Sequence, residues 1–182
     1  MASELTDGVI RLRAPCRSDI DAALAAVRAS LAELALWTSW CHADYSRADV
    51  EQFLRKADAE RFDDRAYDFY IFDPPATRLL GGCGLYHIDR TSRCASLGYW
   101  VRSDATGQGI ATAAARRLVR FGFEEFELAR IEVVAAVENI ASQRVAIKIG
   151  AVREGILRNR LRLHDGQVDA VGFSLIPADL GL

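Results

Sequence analysis

The stretch "GYWVRSDATGQGIATAAARRLVRFGF", residues 98–123, constrains the fold more than any other. A strand-like run passes through a polar turn holding Gly107 and Gly109 straight into a long amphipathic segment. Ile110, Ala114, Leu118 and Phe121 recur at helical spacing and give one apolar face that must pack on a broad surface. The branched run "ARIEVVAAV" follows, so the order is strand, helix, strand, and that order requires a sheet with a helix on its face. The two glycines admit two readings. Either they make a tight connection, or they leave the first unpaired N–H groups of the helix bare, so that an anion reaches the backbone without help from a lysine.

The remaining segments supply the sheet. "GVIRLRAP" alternates apolar and charged residues as a half-buried strand does, "RSDIDAALAAVRASLAELALW" reads as one helix capped by Ser18 or Asp19, and "SRADVEQFLRKADAERF" as a second. "AYDFYIFDPPATRLLGGCGLYHID" gives two strands around the Pro74-Pro75 turn and "SRCASLGYWVRS" a third, together an antiparallel meander. "NIASQRVAIKIG" is a short helix closed by Gly150, and "LRLHDGQVDAVGFSL" a hairpin turning at Asp165-Gly166. The expected class is α/β: one domain over residues 1–182, with a mixed, mostly antiparallel twisted sheet of about seven strands flanked by helices on both faces.

Charge and composition exclude several partners. The net charge of -2, with acids and arginines interleaved, provides no positive block for a phosphate backbone, so nucleic acid is not expected as a partner. "MASELTDG" carries acids where a secretory signal needs positive charge followed by an apolar run, and no long uncharged apolar stretch follows. A cytoplasmic protein that does not engage a membrane is expected. Cys16, Cys41, Cys83 and Cys94 lack C-x-x-C spacing and read as reduced core thiols, with no metal site expected.

Three phosphate motifs compete for the glycine turn. A P-loop needs a lysine followed by Ser or Thr after its last glycine, and "GQGIAT" has neither. A dinucleotide fingerprint fails at its third glycine, where Thr112 stands. Glu132, about twenty residues further on, sits early in its strand and not at the carboxyl end where a ribose-binding acid belongs. The third candidate fits better: "VRSDATGQGIAT" resembles the acetyl-CoA pyrophosphate loop of the GNAT superfamily of N-acetyltransferases. Gly109 and Ala111 match its last two fixed positions, and Thr106 stands where Gln or Arg is usual. "ENIASQRVAIKIGAVREGILR" is similar to the family's Asn-x-x-Ser segment and following helix, and "LGYWVRSD" to its central strand. With "LWTSW" and "LHDGQVDAVGFSLI", the likeness runs over nearly the whole chain. It points to the branch of RimJ- and RimL-type N-terminal acetyltransferases of ribosomal proteins.

The resemblance implies a splayed central strand pair whose backbone around Trp100, Val101 and Arg102 pairs with the pantetheine arm of acetyl-CoA as an added strand. It implies a pyrophosphate held by Thr106, Gly107, Gln108, Gly109, Ile110 and Ala111. Asn139 and Ser142 would face the same co-substrate, although Asn with Ser three residues on is also a plain helix cap. Ser142 is the expected donor to the CoA sulfur and the Val101 amide the expected oxyanion partner. Related sequences often carry a glutamate two residues before the glycine of the "GYW" strand; here that position is Ser96, so His87 and Glu138 are the substitute base candidates.

A site without a strong base favours weakly basic amines. At pH 7, deprotonating an α-amine of pKa about 8 costs about 1.4 kcal/mol, against about 4.6 kcal/mol for a lysine. The expected acceptor is therefore a protein N-terminal α-amine or a small-molecule amine. Trp40, His42 and Asp44 in "LWTSWCHADY", with Glu51 and Asp58 on the neighbouring helix, are the expected acceptor-binding residues. The chain is expected as a monomer or homodimer, its C-terminal hairpin closing the cleft or making a dimer contact. An acyl-CoA-binding module without catalysis and a nicotinamide-dependent oxidoreductase remain as alternatives.

Overall fold

The computed structural model describes residues 4–6 and 8–182. Its strands are β1 (Glu4–Thr6), β2 (Arg11–Arg13), β3 (Tyr67–Phe72), β4 (Leu79–Asp89), β5 (Cys94–Val101), β6 (Arg130–Ala136), β7 (Val152–Leu163) and β8 (Gly166–Leu175). Its helices are α1 (Ile20–Arg28), α2 (Leu31–Trp37), α3 (Arg47–Phe62), α4 (Ile110–Phe126) and α5 (Ile140–Lys148). The strands form one sheet in the order β1-β2-β3-β4-β5-β6-β8-β7. All neighbours run antiparallel except β5 and β6, which α4 joins as a parallel pair.

The architecture is the mixed α/β sheet expected, with eight strands in place of about seven. The added strand is β1, whose three residues pair with β2 and are too few to show an alternation. The segment expected as one helix from residue 17 to 37 breaks at Ser30. That buried hydroxyl donates to the Ala26 carbonyl at 3.0 Å and accepts from the Ser103 amide at 3.0 Å, so it ties the helix break to the end of β5. Of the four cysteines expected in the core, Cys41 and Cys83 are buried, Cys94 is half-buried and Cys16 is exposed on the turn before α1.

Strand alternation divides the core between the two faces. Tyr67, Phe69 and Ile71 of β3 pack with Leu118, Phe121 and Phe126 of α4 on one face; Tyr70 and Phe72 pack with α1 and α3 on the other. Phe121 meets Phe69 edge-on at 5.7 Å and Phe126 at 5.1 Å, and burial of each such ring stabilises the fold by about 1.5–3 kcal/mol. With α4 seated in this way, its first turn stands at the end of β5. No helix among the described residues is long and apolar enough to cross a membrane.

Candidate active site

The pairing of β5 with β6 stops early. The register runs Cys94↔Arg130, Ala95↔Ile131 and Ser96↔Glu132, and beyond Ser96 the two strands part while β4 keeps its hold on β5 as far as Val101. The Arg102 amide donates to the Leu80 carbonyl of β4 at 2.8 Å, and the Trp100 carbonyl lies over Gly81 of β4. A trans peptide sets its N–H and C=O on opposite sides, so the Val101 N–H and C=O both point away from β4, into the gap beside β6. Tyr99 follows by alternation. Of Trp100, Val101 and Arg102, only Val101 thus offers its own amide and carbonyl to the gap, and Tyr99, which no sequence motif singles out, does the same.

At the mouth of this gap α4 begins. Gly107 and Gly109 have φ of +75° and +80°, left-handed values that glycine adopts without strain, and Gly109 occupies the cap position with no side chain to close the helix. The first-turn N–H groups, from Ile110 to Thr112, are therefore open and carry the positive end of the helix dipole. Thr106 donates its hydroxyl to the Ser103 carbonyl at 2.9 Å and braces the turn, while Arg102 is drawn to Asp104 at 3.1 Å. A cavity of about 390 Å³ flanks the helix start, with Gly109, Thr112, Ala113, Arg116 and Lys148 in its walls. Arg116 reaches across to donate to the Lys148 carbonyl at 2.6 Å, and both residues line the cavity beside the helix start. Sequence motifs assign neither Arg116 nor Lys148 to the phosphates, although Gly109, Thr112, Ala113 and Arg116 fall on one helical stripe.

The opposite side of the gap is the start of α5. Asn139 caps that helix, its side-chain oxygen accepting from the Ser142 amide at 3.0 Å. Gln143 donates to the carbonyls of Ala136 and Val137 at 3.2 and 2.7 Å and pins the helix to the end of β6. Ser142 Oγ donates to the Tyr99 hydroxyl at 3.2 Å, and that hydroxyl donates to the Ser142 carbonyl at 2.9 Å. Burial pushes the Tyr99 phenol up to about 12, against a smaller opposing effect of the Ser142 hydrogen bond, so it stays protonated at neutral pH.

A second and larger cavity, of about 590 Å³, opens on the α1/α3 face of the same strands. Trp40 stands at its edge, 5.8 Å from the Tyr45 ring and 6.2 Å from the Trp100 ring. His42 and Asp44 lie outside it; His42 turns to Asp49 at 3.4 Å and Asp44 is exposed. From α3 the polar residues that enter are Asp49, Gln52, Lys56 and Glu60, on the opposite helical stripe from Glu51 and Asp58. The C-terminal hairpin closes over this region, with His164 Nε2 lying 2.7 Å from the Cys41 carbonyl.

Of the two base candidates, His87 lies apart from this arrangement and Glu138 adjoins the Asn139 cap. His87 is exposed on a β4 bulge at φ +52°, six residues from the Gly81 that pairs with Val101, which is about 20 Å along a strand. Glu138 is exposed in the turn between β6 and α5, where its carbonyl accepts from the Ile140 amide at 3.0 Å. Ser96 faces the same side of the sheet as Tyr86, its register partner.

Known proteins share this fold. YdaF of Bacillus subtilis, provisionally described as a ribosomal N-acetyltransferase, is 40% identical over 98 residues, 54% of either chain. The chain spans about half the length of the curated relatives it matches. A Vibrio cholerae protein, provisionally described as a ribosomal-protein-serine acetyltransferase, superposes with a TM-score of 0.85 at 30% identity, over 97% of this chain and 100% of that one. Mycobacterium smegmatis RimJ, solved with a CoA disulfide, shares the fold at a TM-score of 0.88 and 23% identity, over 100% of this chain and 88% of its own. The family model for the acetyltransferase (GNAT) domain matches residues 10–152, most of the sheet together with both helices that border the gap, and the chain belongs to that family.

Proposed function

We propose that the protein is a cytoplasmic, acetyl-CoA-dependent N-acetyltransferase that acts by direct attack of an amine in a ternary complex. Its acceptor is the α-amine of a protein N-terminus, of the ribosomal kind named for its relatives, or that of a small molecule. The observation that carries this reading is the unpaired edge of β5, with the Val101 amide facing a gap whose mouth is the bare start of α4. An extended pantetheine arm would add to that edge as a strand, and its pyrophosphate would meet the α4 amides with Arg116 and Lys148 beside them. Thr106, Gly107, Gln108, Gly109, Ile110 and Ala111 line the approach.

With the thioester laid along β5, the Val101 N–H is the donor aimed at the oxygen on which negative charge develops, and a fixed dipole of this kind is often the largest contribution to catalysis. Ser142, held against Tyr99, supplies a proton at the departing sulfur. The amine enters from the opposite face of the sheet, through the cavity beside Trp40. Tyr99, a phenol poised at the sulfur end of the gap, favours an active enzyme over a module that only binds acyl-CoA.

Thermal unfolding of dialysed protein with excess acetyl-CoA, CoA and NAD in parallel tests the co-substrate. Acetyl-CoA at a hundred times its dissociation constant is expected to add about 2.7 kcal/mol, a rise of roughly 5–10 °C, with NAD inert. Absence of any acetyl-CoA shift would remove the reading. Thiol release should then be faster with peptides bearing a free α-amine than with internal lysines in N-blocked peptides, and the reverse order would overturn the acceptor assignment.

Arg116→Glu is expected to raise the acetyl-CoA dissociation constant about tenfold, or 1.4 kcal/mol, and to weaken its dependence on salt. Arg120→Glu, on the same helix but already paired with Glu124 at 2.7 Å, should leave affinity unchanged. Equal effects of the two, measured by calorimetry, would place the phosphates elsewhere.

A further inference from the structure

The larger cavity holds a carboxylate that nothing described so far employs. Asp68 is the second residue of β3, only 5% exposed, with Gly84 beside it in register and Gly98 one strand beyond. These glycines leave the sheet bare, and the Tyr86 ring lies across them: a Cβ on Gly84 would fall 2.6 Å from the Tyr86 hydroxyl, and one on Gly98 2.9 Å from its ring. The Tyr86 hydroxyl donates to Asp68 Oδ1 at 2.7 Å. Among the described residues none donates to Oδ2, and Asp68 lines the cavity. The other acids there are engaged. Asp49 accepts from the Ser46 amide and hydroxyl at 2.8 and 2.7 Å, and Glu60 pairs with Lys56 at 3.7 Å.

We propose that Asp68, seated by Tyr86, receives the protonated amine of the acceptor and takes the proton that the amine must lose before it attacks. The assignment rests on the N-acetyltransferase reading and deepens it. Ser96, the position at which the family resemblance leads one to look for a carboxylate, is the register partner of Tyr86, whose hydroxyl leads to Asp68 on the strand beyond. Asp68 is joined to the reaction side by a phenol and by whatever water fills the cavity.

In the reaction, the ammonium gives one proton to Asp68, directly or through water and Tyr86. The freed nitrogen lone pair forms the C–N bond to the acetyl carbon, and the C–S bond breaks with its electron pair on sulfur. Sulfur takes a proton from Ser142, which is restored by the second proton leaving nitrogen, and Asp68 returns its own to solvent. Trp40, Tyr45 and Trp100 line the approach with aromatic surface suited to a cation.

Burial raises Asp68 above the ordinary carboxylate value. The Tyr86 hydrogen bond opposes this, Glu60 adds to it, and Lys56 and Arg61 on α3 oppose it; Cys83 on β4 and Tyr70 on β3 face the same group. A raised carboxylate is a better base, and it is available only above its own pKa. The acid limb of kcat/KM should therefore report Asp68.

The test compares the parent with Asp68→Asn and Tyr86→Phe across pH 6–10. It uses short peptides with free N-terminal Ser, Ala or Met as acceptors, with the acetyl-CoA thermal shift as a second readout. Asparagine keeps an oxygen for Tyr86, so the shift should persist while kcat/KM at pH 7 falls about a hundredfold. The rate of that variant should then climb tenfold per pH unit up to the pKa of the amine, because only amine already neutral in solution can react. Tyr86→Phe removes a bond that favours the carboxylate, so its acid limb should move to higher pH. An active parent whose pH profile is matched by both variants would overturn the assignment and leave the acetyltransferase reading intact. A parent that binds no acetyl-CoA and releases no thiol with any of the amines would overturn both.

Discussion

Replacing Gly81 by alanine is expected to cost about 3 kcal/mol or more and to abolish acetyl transfer in whatever fraction still folds. A Cβ there would fall 2.1 Å from the Trp100 carbonyl oxygen and 2.9 Å from the Val101 Cα, both backbone atoms that cannot rotate aside. The β4–β5 pair must separate at the point where β5 presents Val101 to the gap. For a domain of this size the midpoint should drop by roughly 6–12 °C. Gly82→Ala is the informative control. Its Cβ would meet the Trp100 indole nitrogen at 2.6 Å, a side-chain atom that is able to move, so the cost should be smaller and should appear in the KM for the amine. A Gly81→Ala protein with parental melting and kinetics would mean that β5 does not hold the reacting amide where the structure has it.

That contrast also shows which parts of the molecule can be read from the chain. Periodicity places α3, α4, the meander and the closing hairpin, because each is a local pattern with its own turn chemistry: Ser46 before α3, Gly109 before α4, Gly150 after α5. The helix break at Ser30 escapes, since apolar spacing continues through it and its cause is a hydrogen bond to Ser103, which is distant in sequence. The site divides in the same way. The glycine turn before α4, proposed to hold the pyrophosphate, is written in consecutive residues and is legible. Asp68, Tyr86 and Tyr99 owe their places to strand register, which brings Asp68 beside Gly84 and Gly84 beside Gly98, and no spacing along the chain records that. The chemistry of His87 and Glu138 near the ends of strands suggests a base, but pairing carries His87 to the far end of β4.

Ser142→Ala is expected to lower kcat about a hundredfold while leaving the affinity for acetyl-CoA within about twofold, since a well-placed general acid contributes 10²–10⁴. The α5 cap survives this change, because Asn139 accepts from the backbone amide of residue 142 and not from its hydroxyl. Tyr99→Phe should cost about tenfold: it removes the acceptor of the Ser142 hydroxyl and the bond to the Ser142 carbonyl, yet leaves a serine in reach of the sulfur. The order of the two effects decides the role. If Tyr99→Phe were the more damaging, the phenol would be the proton donor and Ser142 would only orient it. Because burial holds that phenol up to about 12, the parent kcat should show no alkaline fall up to about pH 10 under either assignment. The pH profile alone therefore cannot tell the two donors apart, and the ranking of the variants does so. Parental kcat in Ser142→Ala would remove the serine from the chemistry and leave it as a residue of the helix start.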